Sequence, residues 1–255
     1  MGDEMPGVPA GSGKHPIPIV AISANDLAAS SAFYSKLFGW NVVPVSNDLA
    51  AAVTPAGPSV SLLANVPEGS QGTVPFIGVP DVVSALASAV AAGGRIERAP
   101  DEVKPVGKFA RFKDPSGTLY GLTDAVPAGA LPRLAAPFGP APKPPAGTVC
   151  SLEMHASDGA AAARYFGDLF GWGAKEMMPQ YMSFDPGAGI GGVFQSHTPA
   201  LPGLAYLYAT DVVAKIAEIE AAGGKRTGDP MPVPGLATFG YFTDPSGTNV
   251  GLIGP

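Results

Sequence analysis

The chain reads KFARFKDPSGTLYGL at residues 108–122 and TFGYFTDPSGTNVGL at residues 238–252. In each copy an Asp-Pro-Ser-Gly stretch, Asp114–Gly117 or Asp244–Gly247, separates two short β-prone runs. Asp at the first position of a turn, Pro at the second and Gly at the fourth are typical of a tight turn, so each copy predicts a β-hairpin. The chain is therefore one unit written twice.

The repeat extends well beyond the hairpin. Gly93-Gly94 returns as Gly223-Gly224 at the same spacing, and Leu-Phe-Gly-Trp stands at residues 37–40 and again at 169–172. A constant offset over such distances indicates duplication of a whole domain. We expect a flexible tail at 1–16, a first domain at 17–124, a Pro/Gly/Ala-rich linker at 125–147 and a second domain at 148–255.

Composition excludes several classes of function. The net charge is −6 and the 15 Lys and Arg residues are scattered, so no basic surface for nucleic acid is expected. The single cysteine, Cys150, cannot form an intrachain disulfide, and neither a signal peptide nor a membrane-spanning run is evident. We therefore expect a cytoplasmic protein without a membrane partner, either a monomer with internal pseudo-symmetry or a homodimer.

One unit contains two modules of the same order. Pro18–Ser23 predicts a strand, and Leu27–Phe38 predicts a helix capped by Asp26 and ended by a left-handed Gly39. Three β-prone stretches follow, and the order β-α-β-β-β then starts again at Val74. The predicted fold class is α+β, with tandem βαβββ modules, two per domain, forming cup-shaped mixed sheets with helices outside.

These modules, the Leu-Phe-Gly-Trp helix end, the Ala-Gly-Gly after the second helix and the closing Asp-Pro-Ser-Gly hairpin resemble the vicinal oxygen chelate superfamily. This is the glyoxalase, bleomycin resistance and extradiol dioxygenase superfamily, and the chain looks most like its two-domain bacterial glyoxalase-like members. The resemblance covers nearly all of residues 17–254. It implies that ligands bind inside the cups.

The resemblance also implies where a divalent metal would be held. Metal-dependent members carry His or Glu on the first strand of each module and Glu or His on the last. The first-strand positions here are Ile19, Val74, Ser151 and Leu204, and glycine stands at both last-strand positions, Gly121 and Gly251. None of these side chains is a metal ligand. We therefore expect no superfamily metal and no other cofactor.

The second domain offers the better candidate site. Strand alternation places three polar residues, Ser151, Glu153 and His155, on the face of the vacant ligand position. The same face should receive Tyr206, Tyr208 and Asn249, whereas the first domain offers a plainer and more apolar cup. These six residues are the predicted ligand-binding set. Glu153 is the candidate catalytic base, and His155 is expected at the surface or at the helix start unless it joins Glu153 in an atypical metal site.

Other notable residues receive structural interpretations. Gln195 and His197 are expected at the surface beside a flexible glycine-rich loop, Gly187–Gly192, and Arg111 as a solvated hairpin charge. Cys150 is expected to be a buried apolar side chain. The tryptophans Trp40 and Trp172, in equivalent places, are expected to pack.

The sequence favours a glyoxalase-like protein that binds a small organic molecule in a sheet-lined cup without the usual divalent metal. The alternative is a lyase, isomerase or dioxygenase of the glyoxalase and bleomycin resistance type, with Glu153 as the base or as part of an atypical metal site. A purely structural or interaction protein is a third hypothesis, because fold does not determine function.

Overall fold

A computed structural model describes residues 12–66, 71–104, 106–126, 131–139, 142–197 and 203–255. It contains two mixed sheets with four helices outside them, which confirms the predicted α+β class. No helix in these ranges has the length and apolarity to cross a membrane, and the longest have 12 residues.

The first sheet has eight strands in the order β2-β3-β4-β1-β5-β8-β7-β6. Its two central strands, β1 and β5, are the first strands of the two modules and run antiparallel. The elements are β1 (Ile19–Ser23), α1 (Leu27–Phe38), β2 (Asn41–Ser46), β3 (Leu49–Val53), β4 (Ser59–Leu63), β5 (Thr73–Gly78), α2 (Val82–Ala91), β6 (Arg95–Val103), β7 (Gly107–Lys113) and β8 (Leu119–Thr123).

The second sheet repeats this order as β10-β11-β12-β9-β13-β17-β16-β14, with β15 paired to β16. Strands β9 and β13 take the central antiparallel positions, and β17 lies parallel to β13. The elements are β9 (Val149–His155), α3 (Gly159–Phe170), β10 (Gly173–Met178), β11 (Tyr181–Asp185), β12 (Gly192–Gln195), β13 (Leu204–Tyr208), α4 (Val212–Ala221), β14 (Lys225–Arg226), β15 (Met231–Val233), β16 (Ala237–Thr243) and β17 (Asn249–Gly254).

The helix ends follow the predicted chemistry. The Asp26 carboxylate accepts a hydrogen bond from the backbone N–H of Ala29 at 2.9 Å, as expected of a capping residue. Gly39 ends α1 with φ of 68°, a left-handed conformation that glycine adopts without steric cost.

One strand differs from its expected length. The sequence predicts a strand near Arg95–Arg98, whereas β6 continues to Val103 and passes through Pro100. The strand lies at the edge of the sheet and its pairing with β7 shifts register between Ile96 and Arg98 and again before Asp101. Because an edge strand with bulges does not need every backbone N–H, it tolerates a proline that an interior strand would not.

Each sheet has one face toward the helices and one face away from them. On β9, Leu152 and Met154 belong to the main core, so Ser151, Glu153 and His155 lie on the opposite face. We call the face of the second sheet that points away from the helices the second cup, and its counterpart on the first sheet the first cup.

The helix-covered faces of the two sheets pack against each other around one continuous core. The ring of Phe33 on α1 lies 6.0 Å from that of Phe242 on β16. The hairpin turn of each copy also reaches the other copy, because Thr248 donates to the carbonyl of Ser23 and Thr118 to the carbonyl of His155, both at 2.8 Å. Each copy therefore supports the first strand of the other.

The two tryptophans pack, as the sequence indicates. Trp40 stacks on Tyr34 with ring centroids 4.6 Å apart, and Trp172 stacks on Phe166 at 5.0 Å. Both are buried. Their indole N–H groups donate to the backbone carbonyls of Gly147 and His15, respectively.

Candidate functional site

A hydrogen-bonded cluster of one carboxylate and two phenols lies in the second cup. The Tyr206 hydroxyl donates to Glu153 Oε2 at 2.7 Å and lies 3.0 Å from the Tyr241 hydroxyl. The three residues come from β9, β13 and β16, so three strands hold their positions. The structure thus brings together two of the predicted residues, Glu153 and Tyr206, and adds Tyr241.

Burial controls the electrostatics of this cluster. It raises the pKa of Glu153, while the hydrogen bond from Tyr206 and the nearby charge of His197 act in the opposite direction. Burial also raises the pKa of Tyr206 well above its ordinary value, and the charge of Glu153 adds to that effect. Tyr206 therefore stays a neutral donor to a carboxylate that binds a proton more readily than an exposed glutamate does.

Tyr181 and His197 extend the polar cluster, and neither was predicted to belong to the site. The Tyr181 hydroxyl, on β11, lies 3.3 Å from Nε2 of His197. Burial raises the pKa of Tyr181, and the charge of Glu153 contributes. Tyr241 could have been found from the hairpin register, because it lies opposite Gly251. Tyr181 could not have been found in this way, because the sequence does not reveal how β11 pairs with its neighbouring strands.

His155 is buried as the last residue of β9, so it lies neither at the surface nor at the start of α3, and that expectation is wrong. Its side chain is 8% exposed, and Nδ1 is buried without a hydrogen-bond partner among the described residues. Burial lowers its pKa, which favours the neutral imidazole. The reason for the burial is the turn of the first copy, since Thr118 bonds to the His155 carbonyl and closes this end of β9.

Gln195 is likewise buried, at 3% exposure, whereas His197 is exposed as expected. Gln195 lies beside His155 in the parallel pairing of β12 with β9. The predicted loop Gly187–Gly192 ends inside the sheet, because Gly192 is the first residue of β12. A side chain there would approach the Leu152 carbonyl oxygen to 2.2 Å, so close backbone packing requires the glycine.

The other three predicted residues lie around this cluster. Ser151 is half-buried and faces Tyr206 across the β9–β13 pair. Asn249 is exposed at the start of β17, on the face of Gly251. Tyr208 is buried among apolar neighbours away from the carboxylate, together with Cys150 and Ile253. Their part in ligand binding stays a prediction.

Cys150 is buried as expected. Its thiol donates to the Tyr206 carbonyl at a sulfur–oxygen distance of 3.4 Å, and burial raises its pKa. A thiol with a raised pKa holds little of the reactive thiolate, so Cys150 is a structural residue.

Part of the segment that joins the two copies covers the apolar end of the second cup. Leu134 and Phe138 pack against the cluster around Tyr206 and Tyr208. The Leu134 N–H donates to the Gly189 carbonyl at 3.0 Å. We call residues 131–139 the strap. The second cup therefore has a polar end at Glu153 and an apolar end under the strap.

Two surface clefts lie elsewhere. One, of about 450 Å³, opens beside His15, Gly78, Asp124 and Val126, at the rim of the first cup. The other, of about 80 Å³, lies between Ile17, Gly57 and the strap. Two polar groups of the larger cleft already have partners, since His15 Nδ1 lies 3.0 Å from the Gly78 carbonyl and Asp124 accepts from the Lys108 N–H at 2.7 Å. The second cup, with its hydrogen-bonded carboxylate and phenols, is therefore the better candidate site.

Comparison with known proteins agrees with this architecture. The Glyoxalase/Bleomycin resistance protein/Dioxygenase superfamily is matched by residues 17–121. The match covers most of the first copy, and the second copy repeats the same strand order. Proteins named "Putative glyoxylase CFP32" in Mycobacterium tuberculosis and Mycobacterium bovis are 25% identical over 252 residues, which cover 92% of this chain and 93% of the relative.

Two solved structures have the same fold over almost the whole chain. A Mn(II)-bound glyoxalase from Novosphingobium aromaticivorans aligns with 96% of this chain and 83% of its own, at 17% identity and a TM-score of 0.66. The 2,3-dioxygenase LapB from Pseudomonas sp. KL28 aligns with 96% and 93%, at 13% identity and a TM-score of 0.65.

The positions that correspond to superfamily metal ligands do not fit a metal here. A Cβ atom at Gly251 would lie 2.4 Å from Cδ1 of Tyr206, and one at Gly121 would lie 2.2 Å from Cδ1 of Phe76. An aromatic ring thus occupies the space that a glutamate side chain would need in both copies. Within the described ranges, no group of three or more His, Cys, Asp or Glu side chains could hold a metal ion.

The first cup has different chemistry from the second. Arg111 stands where the second copy has Tyr241, and its Nε lies 2.8 Å from Glu97 Oε2. Its side chain is 28% exposed, so it is a partly buried ion pair and not the expected solvated charge. Phe76 and Phe109 pack edge to face beside it, at 5.7 Å between ring centroids. Glu153 has no counterpart there, because Ala21 takes its position.

Proposed function

We propose that this glyoxalase-like protein binds a small organic molecule in its second cup and does so without the divalent metal used by other members of the superfamily. The observation that carries the proposal is the Tyr206 ring over Gly251, with its hydroxyl bonded to Glu153. The Tyr206 ring fills the space that a metal-binding side chain at position 251 would need, and the Tyr206 hydroxyl adds a polar group there.

The surroundings of the cluster support binding. A site for a small molecule combines apolar walls with a few convergent polar groups. The second cup has the walls in the cluster of Tyr208, Ile253 and the strap, and the polar groups in Glu153 and its phenols. Nδ1 of His155, which has no hydrogen-bond partner within the described part of the chain, is a further polar atom on the same face.

Elemental analysis and thermal unfolding test the proposal together. The purified protein should contain less than about 0.1 equivalent of zinc, nickel, iron or manganese, and a metabolite and antibiotic library should contain compounds that raise its unfolding temperature. The upward shifts should persist after dialysis against a chelator. Stoichiometric metal, or shifts that vanish with the chelator, would contradict the metal-free reading.

A proton-transfer enzyme is the second candidate. Burial raises the pKa of Glu153, which makes its carboxylate a better proton acceptor, and Tyr206 donates to the same carboxylate. Such a base would exchange a proton on the carbon next to a carbonyl for solvent deuterium. Incubation of hydroxyacetone with the protein in heavy water, followed by proton NMR, tests this; exchange that Glu153→Gln does not reduce would exclude the assignment.

The cytoplasmic location and the absence of nucleic-acid and membrane partners remain our proposals. They rest on composition, above all on the net charge of −6 and the scattered Lys and Arg residues.

A further inference from the structure

We infer that the ligand of the second cup is an organic cation, a small molecule with an ammonium group that sits between the Glu153 carboxylate and the tyrosine rings around it. This inference rests on the proposed function and names the chemical class of the ligand. Its observations are an unmatched negative charge, the aromatic side chains beside it and the distribution of basic residues over this face.

Among the described residues, no cation pairs with the partly buried carboxylate of Glu153. The ion pairs among the described residues involve other carboxylates, such as Glu97 with Arg111 and Asp185 with Arg133. Within the described ranges, Glu153 accepts a hydrogen bond from the Tyr206 hydroxyl and has the exposed His197 nearby, but neither forms an ion pair with it. Since charged groups are seldom buried without a partner, a bound ligand is the natural source of the positive charge.

The tyrosines give the charge a suitable setting. Ring centroids of Tyr206 and Tyr241 are 6.0 Å apart at an interplanar angle of 66°, and Phe239 packs edge to face on Tyr206 at 5.8 Å. Aromatic faces attract ammonium groups, and the attraction is stronger where water is excluded. The phenol oxygens can also accept hydrogen bonds from an ammonium N–H.

Basic residues on this face are too remote or already paired to bind an anion beside Glu153. Lys175 on β10 is on the same face but three strands away from Glu153, which is about 14 Å at a strand spacing of about 4.8 Å. Arg133 of the strap pairs with Asp185 on β11. An anionic ligand would therefore meet the Glu153 charge without compensation.

The apolar end of the cup defines the rest of the ligand. Tyr208, Ile253 and Phe138 line it with apolar surface. A ligand with the ammonium at Glu153 would extend a hydrocarbon or aromatic body toward these side chains. The inferred class is thus an aralkyl or alkyl amine, and not a sugar or a phosphate ester.

Three probes of matched shape test the charge requirement: phenethylamine, phenethyl alcohol and phenylacetate. Affinities for the full chain are measured at pH 7.5 by NMR titration, following signals of the second cup. The amine should bind at least about tenfold more tightly than the alcohol, since about 1.4 kcal/mol of charge interaction gives that factor. Phenylacetate should bind most weakly.

The variants assign that preference to one carboxylate. Glu153→Gln keeps an acceptor for the Tyr206 hydroxyl and removes the charge, so the amine and the alcohol should bind within about twofold of each other. Glu176→Gln, on an exposed residue of β10, removes the same charge elsewhere and should leave the preference intact. Near-ultraviolet circular dichroism shows that both variants are folded.

Each outcome separates the inference from the proposed function. Equal binding of the amine and the alcohol by the unaltered protein, tighter binding of phenylacetate, or a preference that survives in Glu153→Gln would overturn the cation assignment while the cup remained a binding site. No cup signals shifted by any probe at about 20 mM would overturn both the assignment and the proposed function.

Discussion

Replacing Gly251 by alanine should destabilise the protein far more than a glycine-to-alanine change in a strand normally does. The new methyl group would lie 2.4 and 2.5 Å from two carbon atoms of the Tyr206 ring, where ordinary contacts begin near 3.4 Å. The ring would have to move by about 1 Å to restore normal contact distances. It cannot do so freely, because its hydroxyl is bonded to both Glu153 and Tyr241.

The magnitude follows from these two effects. Overpacking of a filled core costs about 1–3 kcal/mol, and weakening a hydrogen bond to a charged group costs about 1–3 kcal/mol. We expect Gly251→Ala to lower the free energy of unfolding by about 2–4 kcal/mol. Urea titration followed by tryptophan fluorescence measures this change.

The controls isolate the clash from the general effect of a methyl group. Gly228→Ala adds its methyl where no atom lies within 4 Å, so it should change stability by less than about 0.5 kcal/mol. Tyr206→Ala removes the ring, and Gly251→Ala on that background should cost almost nothing beyond the first substitution. A loss below about 0.5 kcal/mol for Gly251→Ala alone, or additive losses in the double variant, would refute the argument.

Three other changes have directions that the structure determines. Burial raises the pKa of Asp114 to about 6, above its ordinary value near 3.9, so the folded chain takes up a proton as the pH falls and the free energy of unfolding should rise from pH 7.5 to pH 4. Asp114→Asn should remove up to about 3 kcal/mol of that rise, as measured by urea titration at each pH. Asp244→Asn should remove less of it, because Asp244 also accepts hydrogen bonds from two hydroxyl groups. Equal effects of the two substitutions would contradict this. Glu153→Gln should unfold at a higher temperature than the unaltered protein at pH 8 and at a similar one at pH 4, because the raised pKa of Glu153 makes its charge unfavourable in the folded state; a lower unfolding temperature at pH 8 would count against the burial argument. Phe138→Ala in the strap should cost about 1–2 kcal/mol in urea unfolding, less than a fully buried phenylalanine, because Phe138 is only half-buried; an unchanged midpoint would mean that the strap does not pack on the cup.

The fold could be predicted because its signals are local and occur twice. Asp26, Gly39 and the Asp-Pro-Ser-Gly turns determine helix and hairpin ends through interactions within a few residues. Strand alternation then placed Glu153 and Tyr206 on one face, where the structure joins them.

The rest of the site depends on contacts between distant parts of the chain. His155 is buried because the turn of the first copy closes its end of the strand, 37 residues away in sequence. Tyr181 meets His197 only through the register of β11 against β12, and the strap reaches the cup through packing that its Pro/Gly/Ala composition does not encode. Composition and periodicity carry no information about such pairings.

The turn of each copy bonds to the first strand of the other copy, and this affects what one copy would do if it were expressed alone. The surface by which the copies meet is nearly self-complementary, with Thr248 on Ser23 and Thr118 on His155 as mirrored contacts. It therefore has the form of an isologous interface between identical subunits, made permanent by a covalent connection. A single copy expressed alone would expose to water the apolar surface that it buries against the other copy, such as Phe33 in the first copy or Phe242 in the second. It should therefore form a homodimer through that surface.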